Sequence, residues 1–82
     1  MNKQKLLESL NEVFVDVFDN EEITLNESTT AEDINDWDSL NHIHLVVAIE
    51  KFFKIRFTTS EISSWNNVGD ILISLDSKEL DL

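Results

Sequence analysis

The sequence predicts an all-α domain of four helices, the third of them short, and three observations carry that expectation. Apolar residues recur three and four apart over two long stretches, the repeat of a helix with one buried face. Proline is absent and Gly69 is the only glycine, which suits helices joined by loops pinned through side chains and disfavours β-hairpins. The 82 residues make room for one domain, and a domain this small buries only about 60% of the surface its unfolded chain exposes, too little to enclose a deep catalytic cavity.

Leu6, Leu10, Val13 and Val17 mark a first helix from Gln4 to Phe18, with Leu7, Phe14 and Phe18 widening its stripe. From Asp19 to Asp38 the period is lost, and only Ile23, Leu25, Ala31, Ile34 and Trp37 are apolar. This segment reads as a long ordered loop held down by Ile23, Leu25 and Ile34, and loops of that length are often functional. A second helix from about Ser39 to Lys54 carries two apolar rows, Leu45, Ile49, Phe52 and Phe53 in one and Leu40, Ile43 and Val47 in the other. One row packs against the first helix, and the other is expected to stay partly exposed beside Ser39 as a docking surface. Thr59 or Ser60 is expected to cap a short third helix reaching Trp65, and Asn66 or Asn67 a fourth carrying Val68, Ile71, Leu72 and Leu75. Ile55-Arg56-Phe57-Thr58 alternates like a strand, but without a partner run it reads as a connector whose Ile55 and Phe57 plug the core.

Six basic against seventeen acidic side chains give a net charge of -11 and a pI near 4.2, which argues against nucleic acid as a partner. A hydrophobic content of 41% still supplies a packed core. Self-repulsion at this charge opposes compaction, so the melting temperature should rise with added salt; thermal melts across about a tenfold range of ionic strength check this. The absence of cysteine excludes a disulfide framework, a thiolate nucleophile and a thiolate zinc site, and fits a reducing compartment; any thiol chemistry must be imported. The N-terminus lacks the apolar core of a signal peptide and no segment is long and apolar enough to span a membrane, so a cytoplasmic, monomeric protein is expected. Without a secretory signal, the Asn26-Glu27-Ser28 sequon is a chance match.

Ser39 is the residue to explain, because it stands where the acidic loop Asp36-Trp37-Asp38 runs into the second helix. A helix N-terminus offers unpaired amide N–H groups and partial positive charge, which favour a phosphate attached there. Serine and aspartate before an apolar helix are also the commonest N-cap signature. The two roles are compatible if the Asp38 carboxylate takes the first-turn amides and leaves the Ser39 hydroxyl to solvent. No base stands beside Ser39, and His42 and His44 are too few for a triad with an oxyanion hole, so no catalytic residue is assigned. Two residues apart on a helix, those histidines turn to nearly opposite sides and make no metal site. The carboxylates from Asp33 to Asp38 lack the glycine and closing glutamate of a calcium loop. Trp37 and Trp65 read as core or loop anchors, not ligand cages.

The Asp38-Ser39-Leu40 triplet, its mid-chain place, the long acidic loop before it and the Val68-Gly69-Asp70 helix start after it together resemble the acyl carrier protein family, over nearly the whole chain. The resemblance implies a four-helix bundle of acyl-carrier type spanning residues 1–82, with a long loop between the first two helices and a short third helix. It implies 4′-phosphopantetheine attached covalently to Ser39, with Asp38 as helix cap and transferase recognition residue and Leu40 beside the attachment point. A phosphopantetheinyl transferase would move the group from coenzyme A with Mg²⁺, so that the chain is substrate and not enzyme, and the arm would bring the thiol that the sequence lacks.

The implied partners are that transferase, an acyl-loading ligase or acyltransferase and downstream biosynthetic enzymes, met through Leu40, Ile43, His44, Val47 and Glu50. Many carriers of fatty acid synthesis show acidic residues along the exposed face of the second helix, whereas Asn41 and His44 stand at two such positions here. Glu50 matches, but Lys51, Lys54 and Arg56 make the far end basic. Docking is therefore expected to rely on apolar contact, in a specialised fatty acid, polyketide or other acyl pathway. Met1 and the compact length suggest a free-standing carrier. Two other readings stay open: an aminoacyl or peptidyl carrier of the same fold, and an acidic helical interaction module in which Ser39 is only a cap and the Leu40-Ile43-Val47 row binds a partner helix.

Overall fold

A computed structural model of the chain describes residues 3–78, so Met1, on which the free-standing reading rests, lies outside the described residues. Four helices follow in order: α1 (Lys3–Phe18), α2 (Ser39–Phe53), α3 (Thr59–Ser63) and α4 (Val68–Asp76). No strand forms among the described residues, and none of their helices is long and apolar enough to cross a membrane. α1 packs against both α2 and α4. Their shared core is Leu6, Leu10 and Phe14 from α1, Leu45 and Ile49 from α2, and Val68, Ile71 and Leu75 from α4, all essentially inaccessible to solvent.

At roughly 100° per residue, Leu45, Val46, Ile49 and Phe53 of α2 fall on one arc about 100° wide, and these four are the buried ones. Phe52 falls just outside that arc and is 44% exposed, which corrects the expectation that it belongs to the core row. Leu40, Ile43 and Val47 lie nearly opposite and are exposed, as the double row predicts. α2 stops where Lys54 turns left-handed at φ 58°, letting the Ile55 N–H reach back to the Glu50 carbonyl at 3.0 Å. Ile55 and Phe57 then pack half-buried against the core, so the alternating segment is a connector and not a strand.

The cap of α3 is Thr58, neither Thr59 nor Ser60. Glu61 decides this, since it sits where a reciprocal box closes: the Thr58 hydroxyl accepts from the Glu61 N–H at 3.1 Å and the Glu61 carboxylate accepts from the Thr58 N–H at 2.9 Å. α3 also ends at Ser63, short of Trp65, whose indole N–H instead donates to the Ser74 hydroxyl on α4 at 2.9 Å. Asn67 caps α4, accepting from the Asp70 N–H at 2.9 Å.

Ile23, Leu25 and Ile34 do bury the long loop, which also contains one 3₁₀ turn at Ala31–Asp33. Polar contacts fix the rest of its path. Asn11 of α1 donates to the Ile23 carbonyl at 3.1 Å and accepts from the Leu25 N–H at 2.7 Å, so one side chain holds two backbone groups. The carbonyls of Glu27 and Thr29 accept from the N–H groups of Gly69 and Val68, occupying first-turn donors of α4. A Cβ on Gly69 would stand only 3.0 Å from the Glu27 oxygen, which accounts for glycine at this close approach. Asn11→Ala should cost about 1–3 kcal/mol, because it strands a part-buried donor and acceptor; urea unfolding followed by tryptophan fluorescence measures it.

Candidate functional site

The start of α2 is built so that capping and serine exposure are separate. Asp38 is extended at the N-cap, and its carboxylate accepts from the Asn41 N–H at 2.9 Å while its carbonyl accepts the first helical bond from the His42 N–H at 2.8 Å. The Asn41 side chain reaches back to the Asp36 carbonyl at 2.7 Å, where Asp36 turns left-handed at φ 71°. Ser39 is the first helical residue, exposed, and its hydroxyl has no hydrogen-bond partner among the described residues. The positive end of α2 and a free hydroxyl therefore coincide at one exposed atom.

Trp37 anchors this junction from below. Its ring meets Phe14 edge-on at 5.2 Å and lies 6.4 Å from Phe18, and on the other side it stacks with His42 at 6.1 Å and 18°. Its Nε1–H donates to His42 Nδ1 at 3.0 Å, which leaves the imidazole neutral with its proton on Nε2. Trp65 meets His42 edge-on at 6.1 Å and Phe57 at 4.8 Å. The histidines thus part company as helix geometry requires: His42 turns inward between two indoles, and His44 is exposed. The Trp37–His42 contact was not foreseen, although the sequence held a signal for it. An apolar residue just before the cap and its partner four residues into the helix are the two ends of a hydrophobic staple.

Beside Ser39 these side chains line an open cleft of about 420 Å³, shared with Asn66, Asn67 and Ile71. Such a volume lies within the roughly 300–1,000 Å³ of small-molecule sites. The candidate partner-binding residues divide in two. Leu40, Ile43 and Val47 are 66%, 62% and 43% exposed along the outer face of α2, with His44 exposed beside them. Glu50 is half-buried and one of its carboxylate oxygens accepts from the Phe57 N–H at 2.8 Å, so it braces the connector from within.

Burial holds the His42 imidazole below its ordinary value of 6.5, and acceptance of the indole proton opposes protonation in the same direction. Between that lowered value and 6.5 the unfolded chain binds the proton and the folded chain does not. This contribution to stability is therefore complete above 6.5 and is lost as pH falls through the folded value. An NMR titration of the His42 ring should show a midpoint below 6.5, and His42→Gln should flatten the slope of stability against pH just below 6.5.

No protein-family model matches the sequence, and no curated protein matches it either. Among solved structures it is similar to the holo acyl carrier protein from Geobacter metallireducens, determined by NMR in solution. The two are 42% identical over 88% of this chain and 83% of that one, with a TM-score of 0.83.

Proposed function

The chain belongs to the acyl carrier protein family, and from that premise we propose that Ser39 carries 4′-phosphopantetheine and that the protein presents acyl groups to separate biosynthetic enzymes. The observation that supports this most directly is the exposed, unpartnered Ser39 hydroxyl at the N-terminus of α2, with the cap supplied by Asp38. When bound, the group supplies a terminal thiol on which an acyl group is held as a thioester, in a chain with no cysteine of its own. Asp38 keeps the first turn of α2 closed, and the helix end favours the phosphate charge next to it. Trp37, wedged against Phe14 and His42, fixes the direction in which the junction faces.

A phosphopantetheinyl transferase with coenzyme A and Mg²⁺ makes the attachment, and Asp38 and Leu40 flank Ser39 where that enzyme must approach. The loading ligase or acyltransferase and later enzymes dock on the apolar row of Leu40, Ile43 and Val47, with His44 at its side. Asn41 and His44 in place of carboxylates, and basic Lys51, Lys54 and Arg56, favour partners of a specialised acyl pathway that bind through apolar contact. The setting is cytoplasmic and the working unit a monomer. The experiment is incubation with coenzyme A, Mg²⁺ and a broad-specificity transferase, read by intact mass. One added phosphopantetheine is expected; no addition to the folded protein by any transferase rejects the assignment.

A further inference from the structure

We propose that the far end of α2 is a second contact for partner proteins, at which Lys51, Lys54 and Arg56 receive an acidic patch lying next to the partner's apolar contact. It rests on the apolar docking row proposed above and adds the charge of the partner. At roughly 100° per residue, Leu40, His44, Val47, Lys51 and Lys54, spaced four and three apart, form one exposed stripe about 80° wide along α2. Lys51 stands about 18 Å beyond Ser39 along the helix axis, so the apolar row runs directly from the serine into the cations. Arg56 comes from the connector, and Glu50 sets its place. The Glu50 carbonyl accepts from the Ile55 N–H at 3.0 Å and its carboxylate from the Phe57 N–H at 2.8 Å, so both neighbours of Arg56 are tied to α2. The three cations share the lining of an open cleft of about 530 Å³ with Val47, Glu50 and Ile55.

The charge of this end is opposite to that of the chain. Three of the six basic residues fall within residues 51–56, and Glu50 is the only carboxylate between Asp38 and Glu61. Lys3 and Lys78 pair with Glu27 and Glu61, whereas Lys51, Lys54 and Arg56 are exposed and form no ion pair among the described residues. The α2 dipole accounts for cations at Lys51 and at the cap Lys54, but not for Arg56 beyond the helix end or for the lack of carboxylates to neutralise all three. Carboxylates of a partner answer both. The negative excess of the remaining chain repels an extended anionic surface such as a lipid leaflet, while a local acidic patch within about 8 Å, the Debye length at physiological salt, faces the cations alone. Charges beside an apolar contact set orientation and encounter rate more than affinity, and like charges there exclude wrong partners. The apolar row thus supplies adhesion, and the basic end selects partners with an acidic patch and fixes which way they lie relative to Ser39.

The test titrates the isotope-labelled chain with two helical peptides that share a leucine row, one ending in glutamates and the other in lysines, with affinity read from the amide signals of α2. At low salt the glutamate peptide is expected to bind roughly five- to tenfold more tightly and to move the signals of Lys51, Lys54 and Arg56 together with those of Leu40, Ile43 and Val47. The difference should vanish at about 1 M salt. Because a chain of net charge -11 attracts lysines overall, a preference for glutamates has to come from this surface. Lys51→Glu with Arg56→Glu should reverse the preference and Lys51→Gln with Arg56→Gln should reduce it, each with urea unfolding close to that of the parent chain. Equal binding, tighter binding of the lysine peptide, binding of neither, or unmoved signals at residues 51–56 overturns the proposal. Salt-sensitive dimers in sedimentation, or binding to phosphatidylglycerol vesicles, without a glutamate preference, overturns it in favour of a second copy or a lipid surface. The peptides report on this surface with or without the arm, and intact mass reports on the attachment at Ser39, so either can fail alone.

Discussion

Ser39→Ala is expected to abolish phosphopantetheinylation outright while leaving the fold as it is. The two effects separate because the neighbouring residues divide the labour at the head of α2. The Ser39 hydroxyl is exposed and makes no hydrogen bond among the described residues, so its removal should change stability by no more than about 0.5 kcal/mol. Asp38→Ala should destabilise the fold and slow modification without abolishing it. It takes away the carboxylate that accepts from the Asn41 N–H and should cost about 0.5–2 kcal/mol, while the acceptor oxygen for the arm remains. Intact mass after transferase treatment and urea unfolding of both variants give a two-by-two comparison. A Ser39→Ala chain that still gains the arm would move the attachment to another hydroxyl. A marked loss of stability in Ser39→Ala would make Ser39 a structural residue, as the interaction-module reading requires.

That separation was partly legible in the sequence, because Asp38 and Ser39 are both cap-forming residues and only one of them can hold the cap while the other stays free. The core stripe of α1 and the pins Ile23, Leu25 and Ile34 were legible for a related reason: burial of large apolar side chains is decided by spacing along the chain. The cap of α3 was harder, since Thr58, Thr59 and Ser60 are three consecutive hydroxyl residues and only the box with Glu61 distinguishes the first. Phe52 and Phe53 posed a similar ambiguity, resolved in the fold by a few tens of degrees around α2 and by Val46 taking the other flank of the buried arc. Asn11 was not legible at all. Its two hydrogen bonds join backbone groups twelve and fourteen residues away, and nothing local to a polar residue on a half-buried face announces such a partner. The cleft beside Ser39 belongs to the same class, because it exists only once Trp65 and Asn66, from the far end of the chain, are brought against Trp37 and His42.

Phe14→Ala should be the most destabilising single change near the site, although Phe14 touches no solvent and lies well outside the Asp38-Ser39-Leu40 triplet. Removing a fully buried phenyl ring costs about 3–5 kcal/mol in lost transfer energy and residual cavity. A domain of 82 residues has, at roughly 0.05–0.15 kcal/mol per residue, a total stability of about 4–12 kcal/mol. The change thus removes a large part of the whole and at the bottom of that range leaves a chain that is mostly unfolded when warm. Its local effect follows from the aromatic chain Phe18, Phe14, Trp37 and His42, in which Phe14 is the member that seats the Trp37 edge at 5.2 Å. With that seat emptied, Trp37 loses its buried side while keeping its hydrogen bond to His42, and the loop that delivers Ser39 loosens from α1. Urea unfolding should show the stability loss directly. Transferase kinetics should show a modification rate that recovers as temperature is lowered and the folded fraction returns. Ser39→Ala shows no such recovery, because there the missing group is the acceptor atom itself. A Phe14→Ala protein that stays fully folded yet is modified no faster on cooling would place the defect in the chemistry of the site and refute the packing account.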